Sequence, residues 1–213
     1  MTDDKKAGNA LILGSLGGVL TMAIHPTGGS SHLLVVSAIA HSLAIASVLL
    51  LFMGNFGLSR LIAAPDRLAF AAIVSFGLAT VAVLIATTVS GFIMPNLLQM
   101  MTRDTPSAQS QWRITIATIF QINQAFSGVY TVLVAIAITL WSVSWIRLRT
   151  LDRGFAWYGC VSAPIIALLV SGGYIQLNVH GMAAVMLSQT IWFAGIGLAL
   201  RTNGAKTHPI NSL

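Results

Sequence analysis

The chain has 213 residues and a net charge of +6, and 56% of its residues are hydrophobic but only 8% are charged. Soluble domains carry about 25% charged residues, so this composition excludes a water-soluble globular protein and indicates a polytopic membrane protein. The basic residues are scattered between apolar runs and form no basic face with interleaved aromatic residues, which argues against nucleic acid as a partner.

Polar clusters and clusters rich in proline and glycine divide the sequence into apolar stretches. These separating segments are HPTGGS, GNFGLSRLIAAPD, PNLLQMMTRDTPSAQSQ, RLRTLDRG and SGGYIQLN. A transmembrane helix needs about 20 mainly apolar residues to cross a hydrocarbon core of about 30 Å. We therefore predict an all-α fold, a single domain over residues 1–213 that forms a bundle of six transmembrane helices. The predicted spans 1 to 6 cover about 8–25, 32–53, 67–94, 113–146, 155–175 and 179–200.

Residues 25–32, HPTGGSSH, separate spans 1 and 2. Pro26 and Gly28 are typical of a chain reversal, and we predict an outer hairpin here. Gly14 and Gly18 in span 1 are spaced as in the small-xxx-small pattern that lets helices approach closely. Spans 1 and 2 are therefore expected to pack as antiparallel neighbours.

The basic residues predict the orientation of the bundle. Nine of the eleven lysines and arginines fall in the two terminal segments and in the loops after spans 2 and 4, whereas only Arg103 and Arg113 fall in the other loops. Loops rich in lysine and arginine stay in the cytoplasm, so we predict a multi-pass inner-membrane protein with both termini cytoplasmic. An aromatic belt is predicted from Trp112 on the outer side and from Trp141, Trp145 and Trp157 on the inner side.

Ionisable residues are almost absent from the predicted spans. No Asp, Glu, Lys or Arg lies near the middle of any span, and His41 is the one ionisable residue clearly inside. An ion-coupled transporter normally needs an embedded carboxylate or base, so the sequence argues against active transport. His41 lies nine residues after His32, or roughly 13 Å deeper along a helix, and we expect His25 and His180 to lie too shallow to oppose it.

Three histidines mark the outer ends of the spans. His25 ends span 1, His32 begins span 2 and His180 begins span 6. Imidazole is a ligand for zinc, copper and iron, and three histidines with an open position make a workable coordination set. We predict a metal site at His25, His32 and His180. Amide and phenol side chains at the same level are predicted to contact a ligand: Asn96, Gln121, Gln124, Tyr174 and Gln176.

The preferred hypothesis is a membrane protein whose outer-facing His/amide pocket binds a metal, a cofactor such as haem, or a small polar ligand. It acts in the lipid bilayer alone, as a homo-oligomer or as a subunit of a larger membrane complex. A haem held between two histidines at mid-depth is not expected, because only His41 lies there. The first alternative is a structural or interaction subunit, in which the polar groups only hydrogen-bond between helices.

The second alternative comes from a family resemblance. Ala125-Phe126-Ser127-Gly128 in span 4 and His180 in span 6 resemble the rhomboid intramembrane serine proteases, which have a Gly-x-Ser-Gly motif on the fourth of six helices and a histidine on the sixth. The resemblance implies Ser127 as nucleophile and His180 as its general base. Ala125 departs from the first glycine of that motif, and the short hairpin after span 1 departs from the family's long first loop.

Overall fold

A computed structural model describes residues 3–26, 33–62, 67–148 and 153–203. Of these residues 94% are helical, and the described part of the chain contains no strand. Six helical segments are long and apolar enough to cross a membrane, which confirms the predicted number of apolar helices. The helices are α1 (Asp3–Ile24), α2 (Leu33–Ile62), α3 (Arg67–Thr88), α4 (Met94–Arg103), α5 (Pro106–Leu148), α6 (Arg153–Ser171) and α7 (Val179–Asn203), and a single π turn, Val89–Ile93, joins α3 to α4.

The segment PNLLQMMTRDTPSAQSQ was predicted to separate spans 3 and 4, and it does contain the break between them, but the expectation of a loop is wrong because most of it is helical. It forms α4 and the start of α5, joined by a short turn at Asp104 and Thr105. Pro106 begins α5, where the missing N–H has no helical partner to lose, and Pro95 lies at the start of α4, directly after the π turn. α5 has 43 residues, about 64 Å at 1.5 Å per residue, so the α4–α5 hairpin extends well beyond a single crossing.

The predicted break after residue 53 is also wrong, because α2 continues to Ile62. Gly54 and Gly57 do not end the helix. A Cβ atom at Gly54 would lie 2.7 Å from Leu11 Cγ, and one at Gly57 would lie 2.6 Å from Ala7 Cβ. These glycines are therefore the surface that lets α1 pack closely against α2, as small residues do in membrane bundles.

The long helices are arranged in a closed ring. α1 contacts α2 and α7, α2 contacts α3, α3 contacts α5, and α6 contacts both α5 and α7. Spans 1 and 2 are thus neighbours, as predicted. Gly14 and Gly18 pack against different helices. A Cβ atom at Gly14 would lie 2.8 Å from Ser47 O of α2, and one at Gly18 would lie 2.7 Å from Met186 Cε of α7.

An aromatic cluster fills the core between α3, α5 and α7. The rings of Trp141 and Trp192 stack with centres 5.9 Å apart, and Phe76 and Phe193 pack against them. Trp141 and Trp145 were predicted as part of an aromatic belt, whose side chains face lipid, but they are 0% and 1% exposed and belong to the buried core, whereas Trp157 is 58% exposed. The cluster stabilises one half of the bundle, and the cavity described next lies in the other half.

Candidate ligand cavity

A cavity of about 300 Å³ lies inside the bundle, near the end where α1 stops and α7 begins. Side chains from α1, α2, α3, α5 and α7 line it together with the segment that links α6 to α7. No Asp, Glu, Lys or Arg is among its described lining residues. We call it the histidine cavity, after two of its polar lining residues, which include His25, His41, Asn123, Gln124, Ser127 and Tyr130.

His25 and His41 form a pair at this cavity. Their ring centres are 5.1 Å apart and their planes are inclined by 65°. The expectation that His25 lies too shallow to meet His41 is therefore wrong. Counting residues along α2 measures depth on that helix alone, and it does not give the level at which α1 ends. Because α1 stops at Ile24, the backbone at His25 is free to direct its ring into the bundle.

Hydrogen bonds determine which nitrogen of each ring is protonated. His41 Nδ1 lies 2.7 Å from the backbone oxygen of Ser37, and His25 Nδ1 lies 3.3 Å from that of Pro26. A carbonyl oxygen only accepts, so each Nδ1 carries the hydrogen and donates it. Each Nε2 of the neutral rings then has a free lone pair, the arrangement seen when imidazole acts as a ligand or a base.

The π turn supports the position of His41. A Cβ atom at Gly91, in the middle of this turn, would overlap the Cβ and Cγ atoms of His41, so the ring packs directly against glycine backbone. Ser37 Oγ donates to the Gly91 carbonyl at 3.3 Å and so ties α2 to the turn beside the ring. Single π turns within α-helices occur frequently at functional sites, and this one places a small residue where the imidazole needs room.

The polar side chains of α5 at the cavity differ in their hydrogen-bond partners. Gln124 Nε2 donates to the backbone oxygen of Leu177 at 3.1 Å, and the Tyr130 hydroxyl donates to Gln189 Oε1 at 2.8 Å. Asn123 Oδ1, by contrast, is buried and has no hydrogen-bond partner among the described residues. Leaving a buried acceptor unpaired costs about 1–3 kcal/mol, so the cavity contains an acceptor that an occupant would satisfy.

The predicted metal ligands do not come together as a group. His25 lines the histidine cavity, but His180 is exposed at the start of α7 and does not line it. His32 lies outside the described residues. In the part of the chain that the structure describes, no three His, Cys, Asp or Glu side chains are grouped closely enough to hold a metal ion.

The predicted ligand contacts are brought together only in part. Gln121, Gln124 and Gln176 line one groove between α5 and α6, and Gln124 also lines the histidine cavity, whereas Gln121 and Gln176 are exposed and do not. Asn96 is exposed and donates to the backbone oxygen of Phe92 at 2.7 Å, and Tyr174 is 83% exposed. Sequence spacing placed these residues at one level but gave no information on which side of each helix faces inward.

Ser127 and His180 are not brought together either. Ser127 is buried and lines the histidine cavity, while His180 lies outside it, and no hydrogen bond joins the two described side chains. The resemblance to rhomboid proteases therefore gains no support from the arrangement of its two key residues. The imidazoles that do share a cavity with Ser127 are His25 and His41.

Acid is expected to weaken this half of the bundle through His25. Burial lowers the pKa of His25 below its ordinary value of 6.5, because a desolvated site disfavours imidazolium, and the bond to Pro26 opposes this only in part. The unfolded chain then binds the proton more readily, so stability is retained above pH 6.5 and falls as the pH drops toward the lowered pKa. His41 is the titratable group facing His25.

Thermal unfolding measured from about pH 8 to about pH 5 tests this expectation. The change His25→Gln should flatten the decline in stability on the acid side, while the exposed control His180→Gln should leave it as in the wild type. An unchanged acid decline in His25→Gln would show that His25 does not cause it.

Comparison with known proteins adds no family to this description. No protein-family model matches the sequence, and neither a curated protein nor a solved structure matches it. The chemistry of the cavity therefore follows from its own residues.

Proposed function

We propose that this chain is an inner-membrane protein with both termini in the cytoplasm, which binds a small electron-poor ligand in the histidine cavity. Such a ligand is a cation or a molecule that presents N–H or O–H donors. The observation that carries the proposal is the presence at one cavity of three acceptors, His25 Nε2, His41 Nε2 and the unpartnered Asn123 Oδ1.

The size and lining of the cavity support this proposal. Ligand pockets are commonly about 300–1,000 Å³, mostly apolar, with a few convergent polar groups that orient the ligand. A cavity of about 300 Å³ accommodates an ion with its ligands or a compact organic molecule. With the basic loops inside, the cavity opens toward the outer half of the bilayer, so the ligand comes from that side or from the membrane.

The structural-subunit alternative makes a different prediction about the same atoms. If the polar groups served only to join helices, each would have a protein partner, as Gln124 and Tyr130 have. Asn123 Oδ1 has none among the described residues, and of the four such buried atoms there, the others being Asn55 Oδ1, Ser144 Oγ and Trp145 Nε1, it alone belongs to a residue that lines the cavity. This difference favours a ligand over helix packing as the reason for the polar lining.

Ligand-induced stabilisation tests the proposal. Purified protein in nanodiscs would be heated with ammonium, methylammonium, guanidinium, zinc or copper ions. A ligand that binds only the folded state adds about 2.7 kcal/mol at 100 times its Kd, which raises the melting temperature measurably. We expect at least one of these compounds to stabilise the wild type and to lose its effect in His25→Gln, and a compound with N–H donors to lose its effect in Asn123→Leu as well.

The matched control is His180→Gln, an exposed histidine outside the cavity, which should respond like the wild type. Melting without ligand shows whether each variant is folded. If no compound stabilises the wild type, or if His25→Gln responds equally, the cavity is not a ligand site of this kind.

A further inference from the structure

We infer that the ligand of the histidine cavity is a copper(I) ion, bound by His25 and His41 and by a methionine thioether. The inference rests on the proposed function and narrows it to one ion. It depends on three features of the cavity: the spacing of the two rings, the presence of methionine thioethers in the lining and the absence of a compensating carboxylate.

The spacing of the histidine rings fits a shared metal ion. A metal bonded by both Nε2 atoms at about 2.0–2.1 Å would lie about 3.2 Å from each ring centre, which puts the centres about 5.2 Å apart for a tetrahedral angle and about 6.4 Å apart for a linear one. The observed 5.1 Å is compatible with the tetrahedral value, and it is also within the ordinary range for two rings in edge contact. A haem with one histidine on each face requires the linear arrangement, so the pair does not fit that cofactor.

The hydrogen bonds of the two Nδ1 atoms also support metal binding through the Nε2 atoms. Both Nδ1 atoms are occupied by backbone carbonyl oxygens, of Ser37 for His41 and of Pro26 for His25. Metal-bound histidines commonly donate the other ring N–H to such an oxygen, which fixes the tautomer and orients the ring. The pair therefore already has the outer-shell hydrogen bonds of a metal site.

Three methionine thioethers lie around the pair, together with the hydroxyl and amide oxygens of the lining. Met22, Met182 and Met186 all line the histidine cavity, and Met22 lies one helical turn before His25. Met186 Sδ lies 3.7 Å from the Tyr130 hydroxyl, so Met22 and Met182 are the candidates with no such contact. Thioethers are soft ligands that select copper(I), whereas zinc prefers nitrogen, thiolate and carboxylate.

The charge of the site favours a monovalent ion. The described lining contains no carboxylate, so every available donor is neutral and the bound ion keeps its full charge. The cost of burying an ion rises steeply with that charge in a medium of low dielectric constant. Copper(I) is therefore less costly to hold here than a divalent ion, and imidazole and thioether are both suitable ligands for it.

Competition with a coloured copper(I) chelator under anaerobic, reducing conditions tests the inference on the full-length protein in nanodiscs. We expect one copper(I) ion per chain, weak zinc binding, and a sulfur shell in the X-ray absorption spectrum. Met22→Leu or Met182→Leu should remove the sulfur shell and weaken copper(I) binding about tenfold, while the imidazoles remain. Leucine has nearly the volume of methionine, so these variants keep their packing.

Met100→Leu is the matched control, because Met100 is 52% exposed on α4 and does not line the cavity. Zinc binding that equals copper(I) binding, or methionine variants that bind copper(I) like the wild type, would overturn the inference and leave the proposed function standing. Stabilisation by ammonium or guanidinium alone would also overturn the copper(I) inference and leave the proposed function standing. If neither ions nor organic donors bind, both proposals fail.

Discussion

Replacing Trp192 with alanine is expected to lower the free energy of unfolding by about 3–5 kcal/mol, the usual cost of truncating a large core aromatic residue. Trp192 is 1% exposed, its ring stacks on Trp141, and its Nε1 donates to Ser142 Oγ at 3.0 Å. The change opens a cavity and leaves a buried hydroxyl without its donor. Denaturant unfolding in mixed detergent micelles measures the loss.

Trp157→Ala is the matched control for this prediction. Trp157 is 58% exposed on α6, so its removal should change the free energy of unfolding by only about 0.5 kcal/mol. Trp192→Phe should recover part of the loss, because it restores ring packing but not the hydrogen bond. Equal effects of the two alanine variants would show that the aromatic cluster does not stabilise the bundle.

Gly91→Ala is expected to damage both the fold and the histidine cavity. The added Cβ overlaps the His41 side chain and would lie 2.9 Å from its Cδ2 atom, so the ring or the π turn must move. Overpacking of this kind typically costs about 1–3 kcal/mol. The displaced imidazole should also lower ligand affinity by about 10–100-fold, comparable with the loss of an outer-shell partner at a metal site.

Gly128→Ala is the matched control, because a Cβ at Gly128 on α5 would meet nothing within 4 Å. This change should be neutral or slightly stabilising, since alanine favours the helix by about 0.5–1 kcal/mol over glycine. The double change Gly91→Ala with His41→Ala should cost less than the sum of its parts, because it removes the overlap. If the losses in free energy of unfolding of the two single variants simply add in the double variant, the contact between position 91 and His41 is contradicted.

The helices and some of their contacts could be predicted from the residues alone. Apolar runs long enough to cross a bilayer predicted six helical segments, which the structure contains. Gly14 and Gly18 predicted close helix packing, which the structure confirms against α2 and α7. These features depend on composition and short-range spacing, which a single sequence displays directly.

The ends of the helices were predicted less well. Gly54, Gly57 and Pro95 lie in segments predicted to separate spans, but they lie within helices, whereas Pro106 begins α5 directly after the break at Asp104 and Thr105. Whether a glycine ends a helix or supports a neighbouring one depends on what packs against it. Leu11 and Ala7 provide that packing here, and they lie more than forty residues away in the chain.

The cavity was only partly foreseen. His25, Gln124 and Ser127 were all identified as candidates, and each lines the histidine cavity. The sequence also showed that His41 is isolated inside a span and that Asn123 lies beside Gln124. No feature of the sequence identified Gly91 as part of the site, because its importance arises only from the His41 ring that packs against it.

The composition of this chain was sufficient to establish a helical protein with six segments able to cross a membrane, because hydrophobic length is a property of each segment by itself. The association of His25 with His41, the burial of Trp141 and Trp145 and the exposure of His180 and Tyr174 were decided by the tertiary structure. Each depends on which face of a helix turns inward and at what level its neighbour ends. Because nearly every position in these helices is apolar, hydrophobic periodicity does not distinguish a face toward lipid from a face toward protein.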